Sequence, residues 1–235
     1  MKNFISTFML IFIISSVSVA AERKELKDVN TDEFTKDTQV SPKGGGDSHV
    51  SFAWWVPTEF WESILSRDES IREADKSAML ATMSGVSLLA IVQGDVSQFG
   101  AFNFYTKEEI EKHMKISFSK EDGSQLEFEP MTSINPDLEV VLGVFKPILG
   151  NAMGNMGKSM HFYVLHDETD SGTRLLDPYE KGNIVVELSK RDDTVLTANI
   201  ELPLNCLFIP RKCPNGKNAH ISWNYCPWTG EKLEE

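Results

Sequence analysis

Residues 115–131, KISFSKEDGSQLEFEPM, decide the fold class. Ile116 and Phe118 alternate with polar residues, as do Leu126 and Phe128, and Asp122-Gly123 stands between the two runs. Alternation with a period of two marks a half-buried strand, and Asp-Gly between two such runs is a strong hairpin signal. Two strands joined this tightly run antiparallel. The neighbouring segments set the rest. Downstream, MHFYVLH (160–166), NIVVELS (183–189) and VLTANIEL (195–202) read as three more strands. Upstream, HVSFAWWV (49–56) and VSLLAIVQG (86–94) read as buried strands, with QFGAFNFY (98–105) a neighbour of the second across a turn at Gly94-Asp95. Helices interrupt this series. Phe60, Trp61, Ile64 and Leu65 form a stripe at helical spacing in residues 58–66. Ser70 with Glu73, and Thr106 with Glu109, have the spacing of capping boxes at two further helix starts. Residues 136–151 place Leu138, Val141, Leu142, Phe145, Ile148 and Leu149 at helical spacing, with Pro147 as a point of strain. Strands in hairpins mixed with helices predict an α+β fold, with a mixed, largely antiparallel sheet packed against several helices.

The organisation of the chain follows from composition. Residues 1–20, MKNFISTFMLIFIISSVSVA, pair a positive Lys2 with a short apolar run from Phe4 to Ile14 and small residues before Ala20. This is the order of a secretory signal peptide, too short in its apolar run to span a bilayer. Cleavage is expected after Ala20, with Ala21 as the alternative. The protein is therefore expected to be exported, periplasmic or extracellular, and not membrane-spanning after cleavage. Residues 21–48 are charged and polar, with Leu26 and Phe34 as isolated apolar landmarks and Pro42 and Gly44 to Gly46 near the end. They read as a disordered arm or linker. Residues 49–204 read as one α+β domain, long enough to bury a core of its own. Residues 205–235 form a separate, cysteine-containing tail.

Charge and motifs exclude several function classes. The formal charge is −12, with Lys and Arg dispersed, so no basic face is available for nucleic acid. Residues 152–159, AMGNMGKS, fit a permissive phosphate-loop pattern, but a true loop leaves a strand and opens a helix. Here the helical segment precedes the match and the strand follows it, so Gly150, Gly154 and Gly157 read as a helix stop and no nucleotide is expected. The acidic run after His166, DETDSGT, does not complete a calcium loop. His161 and His166 lie five apart on a strand and face opposite ways, and His113 sits near a helix end. No Gly-x-Ser-x-Gly elbow anchors a serine hydrolase.

The tail reads NCLFIPRKCPNGKNAHISWNYCPWTGEKLEE from Asn205. Cys213-Pro214-Asn215-Gly216 and Cys226-Pro227-Trp228-Thr229-Gly230 resemble the two knuckles of a zinc ribbon, a family whose knuckles each carry two cysteines. The resemblance covers roughly the last 23 residues. Asn215-Gly216 and Trp228-Thr229 stand where the second cysteine of each knuckle belongs. The tail therefore looks like a degenerate zinc ribbon, and three readings stay open. One is a disulfide between Cys213 and Cys226, closing a loop of 12 intervening residues. A loop of that size stabilises by about 3 kcal/mol on the chain-entropy account, and export favours it. Another is zinc held by Cys206, Cys213, His220 and Cys226. The third is free thiols, with Cys206 a buried, inert residue. Trp223, Tyr225 and Trp228 crowd the second knuckle, and are expected either to bind a ligand or, the plainer reading, to pack against the main domain.

No catalytic residue can be assigned from these patterns. A non-enzymatic binding or structural module of the cell envelope is expected, without cofactor. The alternatives are a hydrolase using an acid or His166 in a cleft, and a protein with structural zinc in its tail.

Overall fold

The computed structural model describes residues 21–233. The signal-peptide reading of residues 1–20 lies outside the described residues. The fold is α+β, and the described residues form five α-helices and eleven strands in antiparallel pairings. Among the described residues no helix is long and apolar enough to cross a membrane.

Helix α1 (Thr31–Thr38) and strand β1 (Gln39–Val40) come first, followed by β2 (His49–Val56), α2 (Thr58–Leu65), α3 (Glu73–Thr82) and the long β3 (Val86–Val96). Strand β4 (Phe102–Phe104), α4 (Lys107–Glu111), β5 (Lys115–Lys120), β6 (Gln125–Phe128) and α5 (Pro136–Ala152) lead to β7 (His161–His166). The main body closes with β8 (Gly182–Ser189) and β9 (Val195–Leu202).

Two sheets result. In the first, β1, β2 and β3 pair in order, and the far edge of β3 is shared: β7 takes residues 86–91 and β4 takes residues 94–96. In the second, the order is β6-β5-β8-β9. The burial patterns explain the difference between them. Every residue of β3 from Val86 to Gly94 is buried, as are Ala53 to Val56 of β2, so both faces of the first sheet are covered. Strand β9 alternates, with Leu196, Ala198, Ile200 and Leu202 buried between more exposed neighbours, so the second sheet has one wet face. The core fills with aromatics: Trp54, Trp55 and Trp61 are buried, and the Trp61 and Phe145 rings stack 3.9 Å apart at 9°.

Three sequence expectations differ from the fold. Residues 21–48 do not form a disordered arm. Asn30 caps α1 by accepting from the Asp32 and Glu33 amides, and Phe34, 0 % exposed, stacks on Phe60 at 5.4 Å. The indole of Trp54 donates to Thr38 Oγ1 at 3.1 Å, and Arg67 donates to the Val29 carbonyl and to Thr31 Oγ1. This segment has too few apolar residues to fold alone, but it need only cover a core built elsewhere. Second, Gly94 and Asp95 lie inside β3, and the chain reverses at residues 97–101. Gly94 serves close packing: a Cβ there would stand 3.0 Å from the Phe104 ring. Third, α3 starts at Glu73 rather than at Ser70, whose amide and hydroxyl are held by Asp68 at 2.9 and 2.5 Å. The capping box of Thr106 and Glu109 forms as read, and α5 runs directly into a 3-10 turn and then β7, the helix-then-strand order expected around Gly154.

The boundary to the tail also lies later than residue 204. Leu204, Cys206, Leu207 and Phe208 belong to the main core. The tail proper is a small ribbon, β10 (Arg211–Lys212) with β11 (Asn218–Ala219), closed by a separate core of Cys213, Ala219, Cys226 and Leu233.

Candidate functional site

Three places bring polar chemistry together. The first is a cleft of about 330 Å³ between α2, the end of α3 and the segment after β7, with Glu59, Glu62, Asp167, Glu168 and Arg174 on its walls. The N-terminal turn of α2 presents Glu59 inward because Phe60 and Trp61 anchor its other positions in the core. Arg174 grips Glu59 with both terminal nitrogens, the Nη2 contact being 3.0 Å, and its Nε reaches Asp167 Oδ2 at 3.3 Å. The Leu176 amide donates to Asp167 Oδ1 at 2.6 Å. Asp167 is 1 % exposed. Burial pushes its carboxyl up to about 6, against the pull of Arg174 and the Leu176 amide. Burial and the neighbouring Glu59 charge also raise Glu62. The cleft thus holds a carboxyl that takes up a proton in mildly acidic solution, beside a guanidinium already committed to two carboxylates.

The second place is a network linking the two sheets. The His49 ring is sealed from solvent; Nδ1 lies 2.9 Å from Asp95 Oδ1, and the Gln93 amide nitrogen lies 3.3 Å from Nε2. Asp95 Oδ2 accepts from Arg191 Nη1 at 2.7 Å, and Arg191 also forks onto Glu109 at 3.0 and 3.2 Å. The Arg191 guanidinium lies 4.0 Å over the Tyr105 ring, and the Tyr105 hydroxyl donates to Asp95. An Asp–His pair invites a catalytic reading, but both ring nitrogens are engaged and no substrate can reach the ring. Its effect is mechanical: Asp95 on β3 is tied to the β8–β9 turn.

The third place is the tail. Each of its two turns is closed by a pair of backbone hydrogen bonds about the cysteine, the second turn being one residue longer than the first. The Cys213 and Gly216 amides donate to the Lys217 and Cys213 carbonyls, and the Cys226 and Gly230 amides to the Glu231 and Cys226 carbonyls, all at 2.8 Å. Gly216 and Gly230 sit at φ 79° and 74°, the left-handed region that lets each turn close. Cys213 and Cys226 are buried free thiols that share the small core of the tail. Burial and the bond to Cys226 push Cys213 up to about 11. At Cys226 burial opposes ionisation, but hydrogen bonds from Cys213, the Thr229 hydroxyl and the Trp228 and Thr229 amides outweigh it and draw the thiol down to about 7.

The proposed zinc set does not assemble. Cys206 packs in the main core, where its amide donates to Asp37 Oδ2 at 2.7 Å and burial raises its thiol pKa well above the usual range. His220 turns toward Ser222 Oγ at 2.7 Å. Among the described residues no group of three or more His, Cys, Asp or Glu side chains is placed to hold a metal ion. The histidines weighed for catalysis are dispersed as well. His161 contacts the Tyr105 carbonyl at 3.0 Å, His166 is exposed at the end of β7, and neither lines the Arg174 cleft.

The tail aromatics depart from the plainer expectation. Trp223, Tyr225 and Trp228 are 37, 60 and 49 % exposed rather than packed on the main domain. Trp223 and Trp228 meet at 5.9 Å and 71°, forming a corner, and Lys217 Nζ lies 4.7 Å over the Trp228 ring. Two other apolar surfaces are open: Val140, Val144 and Ile148 along α5, and Phe99 and Phe102 around the β3–β4 turn. Sequence reading missed Glu59, Asp95, Arg174 and Arg191. Their one legible signal is position: Asp95 ends a long apolar run, and Glu59 interrupts an aromatic helix start.

Compared with known proteins, the chain matches no family model, no curated protein and no solved structure.

Proposed function

We propose that this protein is an exported, non-enzymatic binding module of the cell envelope, periplasmic or extracellular, that meets its ligand through the aromatic face of its tail. The observation that carries this reading is the exposure of Trp223, Tyr225 and Trp228 on a unit whose own core is four residues. Large aromatic surface in water is costly, and exposed rings on a rigid frame bind. In sequence Ser222 and Asn224 flank Trp223 and Thr229 follows Trp228, residue types with hydroxyl and amide groups to offer a ligand. Rings flanked by such groups suit a polysaccharide chain better than an apolar protein surface.

The test is co-sedimentation of the purified protein with isolated cell-wall material and other insoluble polysaccharides. Trp228→Ala and Trp223→Ala are each expected to weaken binding by roughly 30-fold, the loss of about 2 kcal/mol typical of a central aromatic contact. Binding unchanged in both variants overturns the assigned face. No binding to any polysaccharide overturns the ligand class. Export predicts a processed product whose amino terminus is Ala21.

A second reading, a hydrolase, is favoured by one observation: Asp167 in the Arg174 cleft is a carboxyl that stays protonated up to about pH 6, as a general acid requires. It predicts an activity that declines above pH 6 and disappears in Asp167→Asn while the fold is retained. An activity indifferent to that substitution removes this reading.

A further inference from the structure

We infer that the outward face of α5 is a docking surface for a second copy of this chain, the two helices meeting antiparallel across a two-fold axis near Val144. Helix α5 buries Leu138, Val141, Leu142, Phe145 and Leu149 on one side. Its other side carries a second apolar row: Val140, Val144 and Ile148, four residues apart and 70, 49 and 52 % exposed. Side chains at that spacing line up as one ridge along a helix. From residue 140 to residue 151 the exposed positions are Val140, Gly143, Val144, Pro147, Ile148 and Asn151. None of them is charged, in a chain that is 25 % charged. A helix turned to water places its charged residues on that side, so this face has the composition of a covered one.

Two further observations name the occupant. The first is Gly143, beside the ridge. Glycine weakens a helix interior relative to alanine, so it calls for a packing reason. The fold supplies none: among the described residues, a Cβ at Gly143 would meet nothing within 4 Å outside its own stretch of helix. A bare backbone at that point lets a partner helix approach closely. The second observation is charge. Glu139 and Lys146 are seven residues apart, close to two full turns, so they fall on one edge of the row. Lys146 Nζ is held at that edge 5.8 Å over the Phe162 ring. A two-fold axis perpendicular to both helices sets this edge against the same edge of the partner, running in reverse. With the axis at Val144, Val144 meets itself and Val140 meets the partner's Ile148. Glu139 then lies about 4.5 Å along the axis from the level of the partner's Lys146, a gap that two long side chains span, and symmetry makes the pair twice. Toward the other edge, Asp137 comes level with the partner's Asn151, an amide and not a second carboxylate. A parallel pairing would instead turn opposite edges together and bring Glu139 near the partner's Asp137, which like charge disfavours. The row is thus self-complementary in one arrangement, a closed two-fold dimer. None of this depends on what the aromatic tail binds.

The experiment is sedimentation velocity of the purified protein from micromolar to millimolar concentration, joined to cysteine cross-linking. A monomer–dimer equilibrium is expected. Val144→Glu sets like charges together at the axis and is expected to raise the dimer Kd by about tenfold or more, with the thermal midpoint of the monomer unchanged because the site is exposed. Gly143→Ala is expected to leave the monomer as stable or more so, yet weaken the dimer. Glu139→Lys and Lys146→Glu are each expected to weaken it roughly threefold, and together to restore it. Under mild oxidation Val144→Cys is expected to give a disulfide-linked dimer, and Val140→Cys to link with Ile148→Cys in a mixture far more than with itself, the three native cysteines being buried. A monomer at every concentration overturns the proposal. So does a dimer indifferent to Val144→Glu, or Val140→Cys linking with itself in preference to Ile148→Cys, the mark of a parallel pair. A monomer that floats with phosphatidylcholine vesicles, and ceases to in Val144→Glu, gives the face to lipid and overturns it as well.

Discussion

Asp167 is a carboxyl group that the fold withdraws from water. Its folded pKa of about 6 lies above the usual aspartate value, so the folded state binds its proton more tightly than the unfolded state does. Its contribution to stability is therefore present below about pH 4 and is lost as pH rises through 6. Two units of displacement correspond to about 3 kcal/mol. The stability difference between the unaltered protein and Asp167→Asn is expected to shift by about that amount between pH 4 and pH 7, read from urea unfolding at each pH. A flat difference would mean that Arg174 fully compensates the charge. Arg174→Ala tests the same cluster from the other side. It leaves the Glu59 and Asp167 carboxylates buried without their cation, and about 3 kcal/mol of stability should disappear at pH 7, with less lost at pH 4.

At the scale of elements, α1 is the case to test, because composition argued against it. Phe34→Ala should cost about 3–5 kcal/mol, measured by denaturant unfolding, since the ring is enclosed between Phe60 and the first sheet. A cost near zero would return the segment to the status of a tether. Thr106→Ala should cost about 1 kcal/mol by removing one half of the α4 capping box. These two elements show what was legible. Patterns carried by neighbours in sequence came through: the alternation of β8 and β9, the hairpin at Gly123, the box at Thr106, and the apolar face of α5 except Ile148, which is exposed. Features set by distant partners did not. Asp68 withdraws Ser70 from capping, Phe104 explains Gly94, and α1 is ordered by the Trp54 and Phe60 side chains. The candidate site divides the same way. The turns that follow Cys213 and Cys226 were visible from Gly216 and Gly230, whereas the exposure of Trp223, Tyr225 and Trp228 and the meeting of Glu59 with Arg174, 115 positions away, belong to tertiary structure.

At the scale of the molecule, the described residues form one large core and one small one, and truncations should separate them. A chain ending at residue 210 loses the tail core but keeps Leu204, Cys206, Leu207 and Phe208 in place, and should still unfold in a single cooperative transition. A chain ending at residue 204 removes three of those buried side chains and should not fold stably. Circular dichroism melts of the two products decide between this division and a boundary at residue 204. The same region has a consequence in time as well as in space. The Lys24 amide donates to the Leu207 carbonyl and the Ile209 amide to the Glu22 carbonyl, so the first described residues are sewn to almost the last of the main body. During synthesis the leading end must wait for residue 209 to emerge before these hydrogen bonds can close. This seam joins residues more than 180 positions apart, so it is a non-local contact whose closure depends on the trailing end.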